Sequence, residues 1–205
     1  AIIAATAGGV TFQLNSATSS EIGRSLLSSL AVFAIAGAFE EALFRGYILQ
    51  TFARSGLAWF AIALTSLFFA VVHLGNPNAN WISTLNTGLA GIWFGIAYLK
   101  TRDLWFVTGL HVMWNWVQGA IFGIEVSGLT DLIAAPLMKE VDLGPTWLAG
   151  GSYGLEGGIV TTIAIVISIA AIQLLPIFRP DPELSAMSSP PADHAGKAAL
   201  TTYLS

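Results

Sequence analysis

The chain has 205 residues, of which 55% are hydrophobic and only 10% are charged, and its formal net charge is −4. Soluble domains carry about a quarter charged residues, so this composition excludes an ordinary soluble protein and predicts one domain with several membrane spans. The absence of cysteine excludes disulfides and thiolate chemistry, and the absence of a basic run leaves nucleic-acid binding without support.

The amino-terminal residues 1–14 are mostly apolar and lack the basic start of a signal peptide. We interpret them as the remnant of a preceding apolar helix. Because the sequence begins with Ala rather than Met, we expect a fragment or a processed form. Residues 1–178 are then expected to form a transmembrane domain that is incomplete at its amino-terminal end.

Five longer apolar segments predict membrane helices, each about 18–28 residues long and able to span a bilayer. The connection 125–155 is predicted to be one long loop, and the Pro-, Ser-, Ala- and Asp-rich residues 179–205 a disordered polar tail. The predicted fold class is therefore an all-α polytopic membrane helix bundle. Its helices are expected over residues 24–51, 57–74, 81–99, 104–124 and 156–178.

Basic residues are distributed unequally between the two ends of such a bundle. If the helices alternate in direction, one end has four of them: Arg54, Lys100, Arg102 and Arg179. The other end has Arg24 and Lys139, with a larger number of acidic residues. Because basic residues concentrate in cytoplasmic loops, we expect the first end, and with it the carboxy-terminal tail, to be cytoplasmic.

The first predicted helix contains the pattern Glu40-Glu41-x-x-x-Arg45. An ionisable residue at the centre of a membrane helix costs about 2.5–3.5 kcal/mol, so three of them together indicate a function. The i, i+4 spacing lets Glu41 and Arg45 form an ion pair on one helical face. Glu40 is rotated by about 100° and has no such partner, which suits a general base. The alternative is that all three line a polar seam between helices.

Two further patterns, Phe69-x-x-x-His73 and His111-x-x-x-Asn115, lie in the later helices. His73 is either a structural residue at a helix end or a partner that shares a water molecule with Glu40. His111 and Asn115 lie one turn apart and can donate hydrogen bonds to an oxyanion, or else to a neighbouring helix. All four side chains are predicted to lie within the hydrocarbon layer, so convergence on one hydrolytic centre is the favoured interpretation.

Other chemistries have less support from the sequence. There is no His-Glu-x-x-His pattern of a zincin and no Gly-x-Ser-x-Gly nucleophile turn. Zinc bound by Glu40, His73 and His111 stays open as a minority alternative, and the main expectation is that no cofactor is required.

In this order and spacing, the three patterns resemble the signature of the CPBP family of intramembrane proteases (CAAX proteases and bacteriocin-processing enzymes, also called Abi). The resemblance covers roughly residues 37–119, and residues 146–158 are similar to the run before the last helix of many bacterial members. The motifs that carry it are Glu40-Glu41-Ala-Leu-Phe-Arg45-Gly46, Phe69-Ala-Val-Val-His73 and His111-Val-Met-Trp-Asn115.

This resemblance implies a metal-independent glutamate-type peptidase with a polar cavity open to one leaflet. Glu40 and His73 would activate water, and His111 and Asn115 would stabilise the tetrahedral intermediate. Glu41, Arg45 and Phe69 would support the geometry.

The implied enzyme is an intramembrane endopeptidase of a bacterial cytoplasmic membrane. Its substrate would be the carboxy-terminal part of a peptide or protein, with or without a prenyl group, in CAAX-type, bacteriocin or surface-protein processing. The alternative is a non-catalytic membrane adaptor or immunity protein that binds a peptide in the same polar seam. A transporter is disfavoured because the sequence has no internal repeat.

Overall fold

The computed structural model describes residues 1–130 and 132–179. Its architecture is all-α, as predicted, with one small two-stranded ribbon formed by β1 (Val10–Leu14) and β2 (Met138–Asp142). The helices are α1 (Ile2–Thr6), α2 (Ser19–Arg54), α3 (Ala58–His73), α4 (Trp81–Thr101), α5 (Leu104–Trp116, continued by π-helical turns over Val117–Ile121), α6 (Thr146–Ala149) and α7 (Ile159–Leu174).

The long helix α2 begins at a capping box. The Thr18 side chain accepts from the backbone N–H of Glu21, and the Glu21 carboxylate accepts from the N–H of Thr18, so donors at the helix start are satisfied. The backbone changes to π-helical geometry over Ala42–Leu49, directly after the two glutamates, and returns to α-helix over Gln50–Arg54. Such π segments inside α-helices occur frequently at functional sites.

The starts of α4 and α5 are also fixed by side chains. Asn80 caps α4 by accepting from the N–H groups of Ile82 and Ser83, and Asp103 caps α5 by accepting from those of Trp105 and Phe106. These caps explain why the polar turn before α4 and the tight turn before α5 end where the sequence predicts.

Helix α4 lies at the centre of the bundle, since every residue from 93 to 99 is buried. It packs closely against α3 at Gly91, where an added Cβ would lie 2.7 Å from Cα of Ser66. Small residues permit this close approach of membrane helices. The contact brings the α3 residues that precede His73 against the middle of α4.

Two sequence predictions are wrong. The interpretation of residues 1–14 as helix is wrong beyond Thr6, because only Ile2–Thr6 is helical and Val10–Leu14 is a strand. Residues 125–155 are not one irregular loop, because they contain β2 and α6. The two strands have one explanation. Val10–Leu14 alternates apolar and polar residues and forms hydrogen bonds with Met138–Asp142, with Phe12 opposite Glu140.

The predicted helices are otherwise confirmed, with changes at their ends. The last one begins at Ile159 rather than at residue 156 and ends at Leu174, because glycines precede it and Pro176 follows closely. Of the predicted tail, only Arg179 belongs to the described part of the chain, and residues 180–205 lie outside it.

The outer surface of the bundle is apolar. Within the described residues, α2 and α4 are long and apolar enough to cross a membrane, while α3 and α7 are apolar but shorter. Only 22% of the most apolar window of α2 is buried, and such an exposed apolar surface calls for lipid rather than water. Arg54 and Arg102 both lie near Tyr98, so these two basic residues share one end of the bundle, as predicted.

Candidate active site

The four predicted catalytic residues line one cavity of about 380 Å³. Glu40 is on α2, His73 is at the end of α3, and His111 and Asn115 are on α5. Helices α4 and α7 complete the walls together with Val126, Ser127, Leu129 and Leu132. The convergence that the sequence predicts therefore occurs, although the motifs are separated by up to 75 residues in the chain (40 to 115).

The Glu41–Arg45 ion pair is present and fully buried. Arg45 Nη1 donates to Glu41 Oε1 at 2.8 Å, and both side chains are 0% exposed. Arg45 Nη2 donates to the Gly91 carbonyl of α4 at 3.1 Å. The guanidinium also lies within 5.7 Å of three aromatic ring centres, so it is held by charge, hydrogen bond and cation–π contact. The rings are those of Phe44, Phe69 and Phe94.

Glu41 also binds His111 of α5. His111 Nδ1 lies 2.8 Å from Glu41 Oε1, the same oxygen that accepts from Arg45. Because a carboxylate paired with arginine can only accept, Nδ1 carries the proton and donates it. The other ring nitrogen, Nε2, then faces the cavity and lies 3.9 Å from Glu40 Oε2. The sequence did not predict this pairing of the two motifs.

The approach of α2 and α5 depends on Gly37. An added Cβ at this position would lie 2.9 Å from Val112 Cγ2 and 3.8 Å from His111 Cγ. With hydrogen alone at Gly37, the two helices come close enough for adjacent carboxylates on α2 to face one imidazole on α5.

Aromatic rings fix the plane of the His111 imidazole. Phe94 stacks on it with ring centres 4.7 Å apart and an interplanar angle of 24°, and Phe69 meets it edge-on at 6.0 Å. Phe69 also contacts the His73 ring at 4.6 Å. The predicted supporting residue Phe69 therefore lies between the two histidines and beneath Arg45.

His73 is anchored by its own helix. Its Nδ1 lies 2.7 Å from the Phe69 carbonyl oxygen, and because a carbonyl only accepts, Nδ1 carries the proton. The Nε2 atom is then the free acceptor of the ring. Asn115 lines the same cavity, and its amide makes no hydrogen bond to another residue within the described ranges 1–130 and 132–179.

Sequence reasoning missed Glu156 as a cavity residue. Glu156 Oε1 accepts from Trp114 Nε1 at 3.0 Å, while Oε2 accepts from the backbone N–H and hydroxyl of Ser127 at 2.7 and 2.9 Å. Its backbone carbonyl accepts from Asn86 of α4. An acidic residue within a glycine-rich run at the start of an apolar helix is the signal that could have indicated it.

The described part of the chain has no group of three or more His, Cys, Asp or Glu side chains placed to hold a metal ion. The expectation that no cofactor is needed stays a prediction, and the zinc alternative requires its own experiment.

Residues 22–117 match the family model described as Rce1-like, type II CAAX prenyl endopeptidase. The matched segment is just under half of the chain and contains all three motifs. Over this segment the chain is similar to the Rce1-like family. The predicted resemblance is thereby confirmed. No curated protein and no solved structure matches the chain.

The match to the Rce1-like family model supports an endopeptidase activity in general terms. Together with the exposed apolar helices, it indicates an integral membrane protein. The bacterial origin and the cytoplasmic orientation of the tail stay predictions.

Proposed function

We propose that the protein is an intramembrane endopeptidase in which Glu40 activates the water that attacks a peptide bond. One observation carries this proposal: Glu40, His73, His111 and Asn115 line a single cavity. The ion pair between Glu41 and Arg45 is buried beside it, so Glu40 is the one of the two adjacent glutamates that faces the cavity.

The spacing of Glu40 and His111 supports a place for the water. Oε2 of Glu40 and Nε2 of His111 are 3.9 Å apart, too far for a direct hydrogen bond but suitable for one water at about 2.8 Å from each. Because one water donates only two hydrogen bonds, His73 Nε2, a free acceptor, accepts a hydrogen bond from the second proton of this water when His111 is protonated and donates to the water oxygen. This is the role that the sequence predicts for His73 as a partner of Glu40.

The proposed reaction is ordinary acyl transfer to water. Glu40 takes one proton from the water as its oxygen bonds to the carbonyl carbon, which gives a tetrahedral oxyanion. When the C–N bond breaks, Glu40 returns this proton to the leaving amine. The products are a carboxylic acid and an amine, and Glu40 is again ionised.

Two side chains are proposed as oxyanion donors. The Asn115 amide has no other partner among the described residues and is free to donate. His111 Nε2 donates only when the ring is protonated, because Nδ1 is already committed to Glu41. We therefore assign Asn115 as the constant donor and His111 as a donor in its imidazolium form.

The cavity walls favour a membrane-embedded peptide substrate. Val32 of α2 and Val72 of α3 line the cavity and are 50% and 54% exposed. We infer that the cavity opens between these two helices, so that a substrate segment enters from lipid. We propose the carboxy-terminal part of a peptide or protein as the substrate, and a prenyl group as an optional feature of it.

The deciding experiment compares Glu40→Gln with the native protein and with Glu125→Gln, an acid outside the cavity. Peptide cleavage in liposomes should be abolished in Glu40→Gln and retained in Glu125→Gln, while thermal stability stays within about 0.5 kcal/mol. Paired prenylated and unprenylated peptides test the lipid requirement. Undiminished turnover in Glu40→Gln would remove Glu40 from the mechanism.

A second measurement separates this proposal from the zinc alternative. Cleavage should persist after dialysis against a strong chelator, and added zinc should not raise it. Loss of cleavage on chelation with recovery on adding zinc would instead support metal-assisted hydrolysis.

A further inference from the structure

One carboxylate, that of Glu156, connects two walls of the cavity. Oε1 accepts from Trp114 of α5, and Oε2 accepts from two donors of Ser127 in the segment Val126–Leu129. We call this segment the roof, because Val126, Ser127 and Leu129 line the cavity from outside the helix bundle. No cation neutralises Glu156 within the described residues, so three neutral donors hold the carboxylate.

The roof has a conformation that needs support. Ser127 has φ of +53°, which is uncommon for a residue other than glycine. Its carbonyl accepts from Asn76 Nδ2 at 3.0 Å, and the next residue, Gly128, donates to the Tyr153 carbonyl at 3.0 Å. An added Cβ at Gly128 would collide with the Pro77 carbonyl, so the roof lies directly on the turn that follows α3 and His73.

The other end of the Glu156 contact leads to the proposed oxyanion donors. Trp114 directly precedes Asn115 in α5, and its ring meets Trp93 edge-on at 5.3 Å. Trp93 stacks on Phe94 at 4.9 Å, and Phe94 stacks on His111 at 4.7 Å. The indole held by Glu156 is thus the first ring of a packed series that ends at His111.

We propose that Glu156 is a positioning residue of the peptidase. Its contact with Ser127 fixes the roof on one side of the bound peptide. Its contact with Trp114 fixes the adjoining face of α5 on the opposite side of the peptide. This inference rests on the proposed endopeptidase function. It adds a carboxylate that does not touch the reacting atoms but sets the width of the space between the roof and the oxyanion donors.

Glu156→Gln is the informative substitution because it keeps the shape of the side chain. A glutamine has one accepting oxygen, so it can satisfy Trp114 or Ser127 but not both. Its amide nitrogen would then face a donor. Glu125→Gln makes the same chemical change two residues before Ser127, outside the cavity, and is the matched control.

The experiment measures hydrogen–deuterium exchange of the roof and peptide cleavage in detergent-purified full-length protein. Glu156→Gln should speed exchange in residues 126–129 and lower kcat/KM by about tenfold or more, as expected for lost hydrogen bonds to a charged acceptor. The increase in KM should exceed the decrease in kcat, because a loosened roof weakens substrate binding. Glu125→Gln should change neither quantity.

Trp114→Phe provides a second, independent variant. It removes only the indole donor, so kcat should fall while exchange in the roof stays close to native. Its effect and that of Glu156→Gln should be less than multiplicative in the double variant, because both substitutions disturb the hydrogen bonds around one carboxylate. This variant also decides the matter if Glu156→Gln does not fold.

The outcomes separate this inference from the proposed function. Native-like exchange and native-like kcat/KM in Glu156→Gln, or fully multiplicative effects with Trp114→Phe, would overturn the positioning role. Faster roof exchange in Glu156→Gln, in a protein whose native form cleaves no peptide, would support the contact while overturning the endopeptidase proposal.

Discussion

His111 Nδ1 and Arg45 Nη1 bind the same oxygen of Glu41, each at 2.8 Å. Glu41 thereby connects the third motif-bearing helix, α5, to the buried cation of α2. One consequence is structural, since removing Arg45 or His111 leaves the buried Glu41 carboxylate with one hydrogen-bond donor fewer. The other is chemical, since the contact determines that Nε2 of His111 faces Glu40.

Arg45→Met should therefore destabilise the protein strongly. The substitution leaves the Glu41 carboxylate buried with only His111 as partner, and breaking a buried ion pair costs about 3–5 kcal/mol. Thermal unfolding in detergent and the yield of folded protein measure the effect. Arg54→Ala, at the exposed end of α2, is the control and should change stability little. Equal stability of the two variants would show that the buried pair does not support the fold.

Asn115→Ala should lower kcat without loss of fold. A single oxyanion donor accounts for about 10²–10³ in kcat in a known hydrolase, and the Asn115 amide is not used by another described residue. Steady-state cleavage of a model peptide gives kcat and KM separately. Met113→Ala is a matched control because Met113 is on the same helix and 46% exposed. A change in KM alone would make Asn115 a substrate-binding residue instead.

Gly37→Ala should lower the rate of peptide cleavage while the protein still folds. The new methyl group would lie 2.9 Å from Val112 Cγ2, so α2 and α5 must separate slightly at the level of Glu40 and His111. Overpacking of this kind costs about 1–3 kcal/mol. Gly23→Ala makes the same change on α2 where no atom lies within 4 Å, and it should retain full activity. Full activity in Gly37→Ala would show that the site tolerates a wider helix spacing.

Helical periodicity accounts for the parts of the site that could be predicted. The spacing of Glu41 and Arg45 dictates a contact within one helix, and this contact is confirmed. Polar residues in otherwise apolar helices indicated which side chains face inward, and the structure brings them to one cavity. Their catalytic roles stay proposals, because shared position does not establish a reaction.

Contacts between elements distant in sequence could not be predicted in the same way. The His111–Glu41 contact depends on the rotation of α5 against α2 and on the absence of a side chain at Gly37. The ribbon pairs residue 10 with residue 142, and a strand of five residues has too weak a signal to reveal its partner. The alternation in Val10–Leu14 could still have argued against a helix there.

The ribbon at the end of the bundle provides a pH-dependent prediction. Burial, followed by the nearby Asp142 and Glu125 carboxylates, raises the pKa of Glu140 on β2 from 4.5 to about 8. Between pH 4.5 and about pH 8, the Glu140 carboxyl is protonated when β1 and β2 are paired and ionised when they are separated. Raising the pH through this window therefore weakens the ribbon, and the proton-dependent stability is complete below pH 4.5 and lost above about pH 8.

Glu140→Gln should remove this dependence, because a glutamine stays neutral at every pH in the window. We expect hydrogen–deuterium exchange of β1 and β2 in the variant to be similar to native near pH 5 and slower than native near pH 9. The variant-to-native ratio at each pH cancels the intrinsic pH dependence of exchange. Lys139→Gln, on the exposed neighbouring residue of the same strand, should give a ratio that does not change with pH. A pH-independent ratio for Glu140→Gln as well would mean that the Glu140 carboxyl is not protonated preferentially in the paired ribbon.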